Sequence, residues 1–169
     1  MADEKKSETI ADGNNNNNQN WFYSETVKEH FFNPRNIFKT DQEAAEYEKT
    51  ADGVGLVGSP QCGDMMRVWI KVKDDKIAEC KWQTFGCASA IASTSVMSVM
   101  VTENGGMKLA DAMQLKPADI VKKLESLPAR KIHCSVLGDQ ALKAAIKNYL
   151  EKKLKKVKNE FAKQASAGN

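Results

Sequence analysis

The sequence is poor in the residues that form cross-links and metal sites, and it has no long apolar segment. Its 169 residues include four cysteines and two histidines, and no two cysteines have the CxxC spacing typical of zinc ribbons and ferredoxins. The longest uncharged run, 82–102, contains Ser89, Ser93, Thr94, Ser95 and Ser98. Such a run indicates a packed helix in a soluble protein rather than a membrane span.

An export signal and a strong charge are also lacking. The first ten residues, MADEKKSETI, are charged and contain no apolar stretch, so we expect neither a secretory signal nor, given their acidity, a mitochondrial presequence. We therefore expect a cytoplasmic protein whose cysteines serve metal or sulfur chemistry rather than disulfides. The net charge of +3 is too small to indicate a nucleic-acid partner.

Composition divides the chain into three parts. Residues 1–20 are polar and end in GNNNNNQN, which predicts a disordered tail. Residues 21–150 carry the apolar periodicity of one domain. Residues 151–169 predict a basic helical extension and tail, and its lysines are expected on a solvated face: Lys152, Lys153, Lys155, Lys156 and Lys158.

The periodicity within the domain predicts an α+β fold. Residues 21–32 indicate a helix capped by Ser24, whereas 35–52 give no clear pattern. Alternation predicts a hairpin over 66–84, with Ala78, Cys80 and Trp82 on one face of its second strand and a glycine-rich edge strand before it. Helical patterns follow over 88–103, 108–113 and 117–124, and a last helix begins near 134 and extends past 161. Strands followed by helices indicate an antiparallel sheet covered by helices.

Three cysteines lie at junctions between predicted elements. Cys62 is in a glycine loop before the hairpin, Cys87 is between a strand and a helix, and Cys134 is at a helix start. A helix N-terminus favours a thiolate, which is the form that binds metal or attacks sulfur. Cys80 is the exception, because its strand position predicts a core residue.

The neighbouring polar residues allow two interpretations each. Asp64 is a turn residue when considered alone, but beside Cys62 it becomes a candidate carboxylate ligand. His133, next to Cys134, is either a ligand or a hydrogen-bonding residue at the helix start. His30 is expected on an exposed helix face with a structural role.

An incomplete set of thiolates suits two kinds of metal centre. Zinc accepts four nitrogen, sulfur or oxygen ligands, whereas iron-sulfur clusters normally prefer thiolates throughout. Spacing does not distinguish them. A cluster with one ligand that is not cysteine should be held less firmly, which fits a protein that gives the cluster away.

Three motifs carry a family resemblance. The stretches GLVGSPQCGDMMRVWIKV, WQTFGCASAIASTSVM and KIHCSVLGDQALKAAIKNYL together resemble the IscU/NifU-type iron-sulfur cluster assembly scaffolds, from about residue 21 to 150. The opening WFYSETVKEHFFNPRN and the phrase HCSVLG are most similar to the N-terminal domain of NifU. The resemblance implies a small three-stranded antiparallel sheet, helices packed on it and a long C-terminal helix.

The resemblance also implies a function. It implies a scaffold, not an enzyme, on which [2Fe-2S] clusters are built from iron and sulfur and then transferred to apo-proteins. The implied cluster ligands are Cys62, Asp64, Cys87 and Cys134, with His133 as an alternative metal ligand. Cys134 matches the family's favoured acceptor of persulfide sulfur from a cysteine desulfurase. Zinc in the cluster-free form and a homodimer are left open.

One departure concerns release of the cluster. IscU proteins carry an LPPVK segment that an Hsp70-type chaperone recognises, but the matching residues 127–131 read LPARK. The basis for expecting that chaperone is therefore weakened. The alternatives are a zinc-dependent SufU-like sulfurtransferase, which His133 argues against, and a structural zinc protein.

Overall fold

A computed structural model describes residues 23–59, 64–125, 127 and 132–167, with the side chains at 59, 64, 132–135 and 165–167 excepted. The predicted tail, 1–20, lies outside these residues. The elements, in chain order, are α1 Glu25–Phe32, α2 Asp41–Glu48, β1 Gly53–Ser59, β2 Asp64–Lys73, β3 Lys76–Thr84, α3 Ala88–Thr102, a 3-10 turn Glu103–Gly105, α4 Leu109–Gln114, α5 Pro117–Lys123 and α6 Ile132–Ala167.

The three strands form one antiparallel sheet in the order β1-β2-β3. The β2–β3 hairpin turns at Asp74 and Asp75, which both have positive φ angles, 51° and 59°. Two successive left-handed residues match the twist of a two-residue hairpin, and aspartate tolerates that conformation better than most residues. The predicted fold class is confirmed, including the long C-terminal helix.

The helical predictions are also confirmed, with ends that differ by at most two residues except at α1, which begins at Glu25 rather than at 21. Ser24 caps α1, because its side chain accepts a hydrogen bond from the Val27 amide. Pro117 stands in the first turn of α5, where its missing N–H has no helical partner to lose. The unassigned segment 35–52 contains a helix, α2, that its pattern did not indicate.

Both faces of β2 are buried. Met66, Val68 and Ile70 contribute to the main core on the face that α3 and α6 cover. On the other face Trp69 is fully buried, with Phe38 edge-on at 5.3 Å between ring centroids. This face is buried because α2 and the chain before it form a second layer there, with Glu48 and Phe38 in contact with Trp69.

The register of β3 differs from simple alternation near its start. Val72 pairs with Ile77 whereas Lys71 pairs with Glu79, so Ala78 is an extra residue in a bulge. As a result Ile77 is buried and Ala78 is exposed. The prediction that Ala78 shares the buried face was therefore wrong, while Cys80 and Trp82 lie on that face as predicted.

Hydroxyl side chains on α3 form hydrogen bonds that hold the N-terminal part of the domain against this helix. The Ser95 hydroxyl accepts a hydrogen bond from the Arg35 amide at 2.9 Å and bonds to Nδ1 of His30 at 2.8 Å. His30 is thus half-buried rather than on an exposed face, although its role is structural as expected. The serines of the long uncharged run are buried polar groups with protein partners, which explains why this helix is not purely apolar. No helix within the described ranges has the length and apolar character to cross a membrane.

Two glycines let α6 lie directly on β1. A Cβ atom at Gly55 would lie 2.5 Å from the Ala145 amide nitrogen and closer still to the Ala141 carbonyl oxygen. A Cβ atom at Gly53 would overlap the Ala145 carbonyl oxygen. The order of these contacts shows that α6 runs antiparallel to β1, since residues later in the strand meet residues earlier in the helix.

The second half of α6 extends beyond the domain. Leu142 and Ile146 are buried in the core, whereas the apolar residues that continue their stripe, Leu150, Leu154, Val157 and Phe161, are exposed. The side chains over 151–164 are all exposed. Helix α6 therefore continues as far as residue 167, and the lysines between 152 and 158 are exposed to solvent.

Candidate metal centre

The predicted ligands belong to elements that meet at one end of the sheet. Ser59, the last residue of β1, pairs with Asp64, the first of β2. Cys62 lies between them in sequence, outside the described residues. The end of β3 is nearby, because Thr84 pairs with Met66. The two segments that contain a predicted ligand, 60–64 and 85–87, are therefore attached to the same end of the sheet.

Cys87 occupies the junction between β3 and α3. It is the N-cap residue of α3, it is half-buried, and it packs against the edge of the core. Thr84 fixes the preceding turn, because its hydroxyl donates to the Met65 carbonyl at 2.6 Å and accepts from the Gly86 amide at 3.0 Å. Cys87 thus lies at a rigid helix N-terminus, where the aligned peptide dipoles stabilise a bound anion or a negatively charged sulfur.

The start of α6 is directed to the same end. Because α6 runs antiparallel to β1, its first residues lie toward the β1–β2 connection. A second contact fixes this part of the helix to α3, since a Cβ atom at Gly138 would lie 2.9 Å from Thr94 Oγ1. His133 and Cys134 are residues of the first turn of α6, and their side chains lie outside those described.

The predicted ligand set therefore remains a prediction at the level of side chains. Among the described side chains, no group of three histidine, cysteine, aspartate or glutamate residues is close enough to hold a metal ion. Of the five candidates, only Cys87 has a described side chain; Cys62, Asp64, His133 and Cys134 do not. The backbone shows that the elements flanking these candidates meet at one end of the sheet.

Cys80 lies away from this end of the sheet. It is 1% exposed and pairs with Ile70 in the middle of the sheet. Burial raises the pKa of the Cys80 thiol to about 12, so the group stays protonated at neutral pH. A protonated, enclosed thiol is a poor metal ligand, which agrees with the predicted core role.

Two features near the site were not predicted. Phe85, two residues before Cys87, is 65% exposed and forms an apolar rim beside the junction. Asp139, on α6, is buried and pairs with Lys143, whose ammonium also donates to the Leu115 carbonyl at 2.7 Å. This pair attaches α6 to the chain after α4. An acidic residue inside an otherwise apolar helical face was the available signal.

Comparison with known proteins identifies related sequences over most of the chain. Residues 22–156 match the model of the NifU-like N terminal domain. The chain is 45% identical over 130 residues to iron sulfur cluster assembly protein 1 of Trachipleistophora hominis, a match that covers 77% of this chain and 88% of that protein. It is 43% identical over 138 residues to the scaffold protein IscU 1 of Archaeoglobus fulgidus, with 80% and 83% covered.

Solved structures share the fold. A NifU-like N-terminal protein from Brucella abortus superposes with a TM-score of 0.54 at 21% identity, covering 78% of this chain and 96% of that one. A SUF-system scaffold protein from Fervidobacterium islandicum gives a TM-score of 0.54 at 19% identity, covering 76% and 98%. These two likenesses concern the fold alone and do not separate NifU-like from SufU-like proteins. The sequence match over 22–156 does assign a family, and this chain belongs to the NifU-like N-terminal domain family.

Proposed function

We propose that this protein is a scaffold on which iron-sulfur clusters are assembled and from which they pass to acceptor proteins. Family membership and relatives that are named as cluster assembly scaffolds support this role. The observation that carries it in the structure is that the end of β1, the start of β2, the Cys87 junction and the start of α6 all lie at one end of the sheet. Binding and transfer, rather than turnover of a substrate, is the activity that such a site suits.

The finer proposal is a [2Fe-2S] cluster bound by Cys62, Asp64, Cys87 and Cys134, with His133 as an alternative ligand. Thiolates are the usual ligands of cluster iron, and a carboxylate is a harder, weaker partner. Cys87 supports the proposal most directly, since it is half-buried at a helix N-terminus. A half-buried side chain there would contact both protein and solvent, which suits a cluster that must later be passed on.

Sulfur is proposed to arrive as a persulfide on a cysteine desulfurase. The Cys134 thiolate attacks the outer sulfur of that persulfide, which forms a persulfide on Cys134 and releases the desulfurase cysteine as a thiolate. Conversion of this sulfur to sulfide requires two electrons, which ferrous iron supplies in part and an external electron donor completes. The first turn of α6 suits the step, because a helix N-terminus favours the thiolate that attacks.

Zinc binding in the absence of iron is part of the same proposal. Two cysteines, an aspartate and a third cysteine or a histidine also satisfy tetrahedral zinc. Zinc in a purified sample would therefore be compatible with a scaffold. The zinc-dependent sulfurtransferase remains the second candidate, but the relatives named as IscU scaffolds favour the scaffold.

The decisive experiment is anaerobic reconstitution with ferrous iron, cysteine and a cysteine desulfurase, followed by visible absorption. We expect charge-transfer bands from the wild type and their loss in Cys62→Ala, Cys87→Ala and Cys134→Ala. Cys80→Ala is the matched control, because it removes the fourth thiol from the core without touching the site. Bound zinc with no visible bands under any condition would reject the scaffold in favour of the sulfurtransferase.

A further inference from the structure

The exposed half of α6 carries an apolar stripe that no other described part of the chain covers. Leu150, Leu154, Val157 and Phe161 are 45%, 56%, 40% and 67% exposed. They follow one another at intervals of four, three and four residues, which places them on one side of the helix. Single exposed apolar residues are ordinary, but an aligned set on a helix that projects from its domain marks an interaction surface.

The spacing fits helix pairing over two heptads. Intervals of four, three and four correspond to the d, a, d and a positions of a coiled coil, with the neighbouring e and g positions beside the seam. Lys153 and Glu160 flank the stripe on one side, and Glu151 and Lys158 flank it on the other. Each flank therefore carries one positive and one negative residue, seven positions apart.

We propose that this surface binds a second copy of the same chain, with the two α6 extensions antiparallel. In the register that uses the whole stripe, Leu154 packs against Val157 of the second copy and Leu150 packs against Phe161 of the second copy. Every apolar residue of the stripe is then covered in both copies. The contact is isologous, so it closes as a dimer and does not continue into a filament.

Charge favours the antiparallel arrangement over the parallel one. In an antiparallel pair each flank faces its own symmetry copy. Lys153 then meets Glu160 of the second copy and Glu151 meets Lys158, so all four flanking contacts join opposite charges. In a parallel pair in register, Lys153 would instead face Lys158, which is repulsive.

The domain offers a matching cavity at the end of the stripe. A groove of about 230 Å³ lies beside Leu150 and is lined by Leu109, Met113 and Ile146. The antiparallel register brings Phe161 of the second copy to Leu150, at this groove. The most exposed aromatic ring of the extension thus meets an apolar depression on the partner, which a parallel pair would leave empty.

This dimer keeps the two candidate metal centres apart. Cys134 and the pairing centre near residue 155 are separated by about 30 Å along α6, given the rise of a helix. The two centres would lie at opposite ends of the assembly, so neither a shared cluster nor a disulfide is needed. We therefore expect the dimer in apo-protein that is kept reduced and free of metal, whether or not the proposed scaffold function holds.

The test is sedimentation equilibrium of the full chain with a reductant and a chelator. We expect a monomer–dimer equilibrium for the wild type and a dissociation constant at least about tenfold higher for Leu154→Asp. Asn159→Asp is the matched control, because it adds the same charge at an exposed position on the opposite side of the helix. A monomeric wild type at all concentrations, or a dimer that Leu154→Asp leaves unchanged, would overturn the proposal.

Charge exchange tests the orientation. Lys153→Glu should weaken the dimer, because it places a second carboxylate opposite Glu160 of the other copy, and the double variant Lys153→Glu/Glu160→Lys should restore it. The parallel arrangement predicts the opposite response, because Lys153→Glu would then relieve a repulsion with Lys158 and strengthen the dimer. Circular dichroism should stay unchanged in these variants, since both substituted positions are exposed on the helix surface.

Discussion

Replacement of Gly55 by alanine tests the contact that fixes α6 on the sheet. The added methyl group would lie 2.5 Å from the Ala145 amide nitrogen, and closer to the Ala141 carbonyl oxygen. Non-bonded heavy atoms prefer separations of about 3.5–4.0 Å, so strand and helix must separate by about 1 Å. Both obstructing atoms belong to the backbone, so no side-chain rotation can relieve the overlap. We expect Gly55→Ala to lower the free energy of unfolding by about 2–3 kcal/mol, the upper part of the range for overpacked cores.

Urea denaturation followed by circular dichroism measures this loss. Leu56→Ala is the control in the same strand, because Leu56 is 56% exposed and its truncation should change stability by less than about 0.5 kcal/mol. Gly138→Ala offers a contrast, since its methyl group would meet the Thr94 hydroxyl at 2.9 Å, which is a side-chain atom. Adding Thr94→Ala should therefore restore part of the stability lost in Gly138→Ala. Adding Ala141→Gly should restore none of the stability lost in Gly55→Ala, because the obstructing atoms there belong to the backbone. A Gly55→Ala variant as stable as the wild type would refute the proposed close packing of α6 on β1.

Three further predictions concern single side chains. Cys80→Ala should lower stability by about 1 kcal/mol and leave cluster assembly intact, as reconstitution would reveal; a folded variant without cluster would contradict the core assignment. Burial, with a smaller effect of Arg35, lowers the pKa of His30 below its ordinary 6.5, so the unfolded chain binds the proton more readily. Stability should therefore be complete above pH 6.5 and fall as the pH is lowered from there, and His30→Gln should flatten that part of a urea-midpoint profile. Asp64→Ala should slow cluster transfer to an apo-ferredoxin at matched loading, because an exchangeable oxygen ligand is lost; equal rates would remove Asp64 from the mechanism.

The hairpin and the first half of α6 were predictable because their apolar periodicity reflects burial, and α3 was predictable as a long uncharged segment, most of whose residues are buried. The helix α2 was not, since Ala44 is its only buried residue and half of its residues are charged. Its place depends on distant partners: the Trp69 indole donates to the Glu48 carboxylate at 2.9 Å, and Arg67 pairs with the same carboxylate. Neither contact leaves a periodic signal. The bulge at Ala78 was hidden for a related reason, because alternation alone does not reveal an extra residue in one strand.

The candidate site was predictable as a list of residues but not as an arrangement. Glycine and cysteine at predicted junctions indicated which segments carry ligands, whereas nothing in the motifs indicated which segments meet. That information depends on the direction of α6, which follows from the glycines of β1. Gly53 and Gly55 are two positions apart in the strand and therefore lie on the same face, so both present a bare backbone to the same helix. The sequence shows these glycines, but their effect becomes apparent only when the helix that they accommodate is known.

The same contact determines what both ends of α6 can do. Because the helix is fixed on β1 at Ala141 and Ala145, its first turn is held toward the candidate metal centre. The remaining turns, past residue 150, have no sheet beneath them and leave the domain with their apolar stripe exposed. Separation of α6 from β1 by about 1 Å, as expected for Gly55→Ala, would therefore displace His133 and Cys134 at one end and would move the stripe relative to the groove at Leu150 at the other. Gly55→Ala is consequently expected to impair cluster retention and dimer formation together, whereas Leu154→Asp should impair only the dimer.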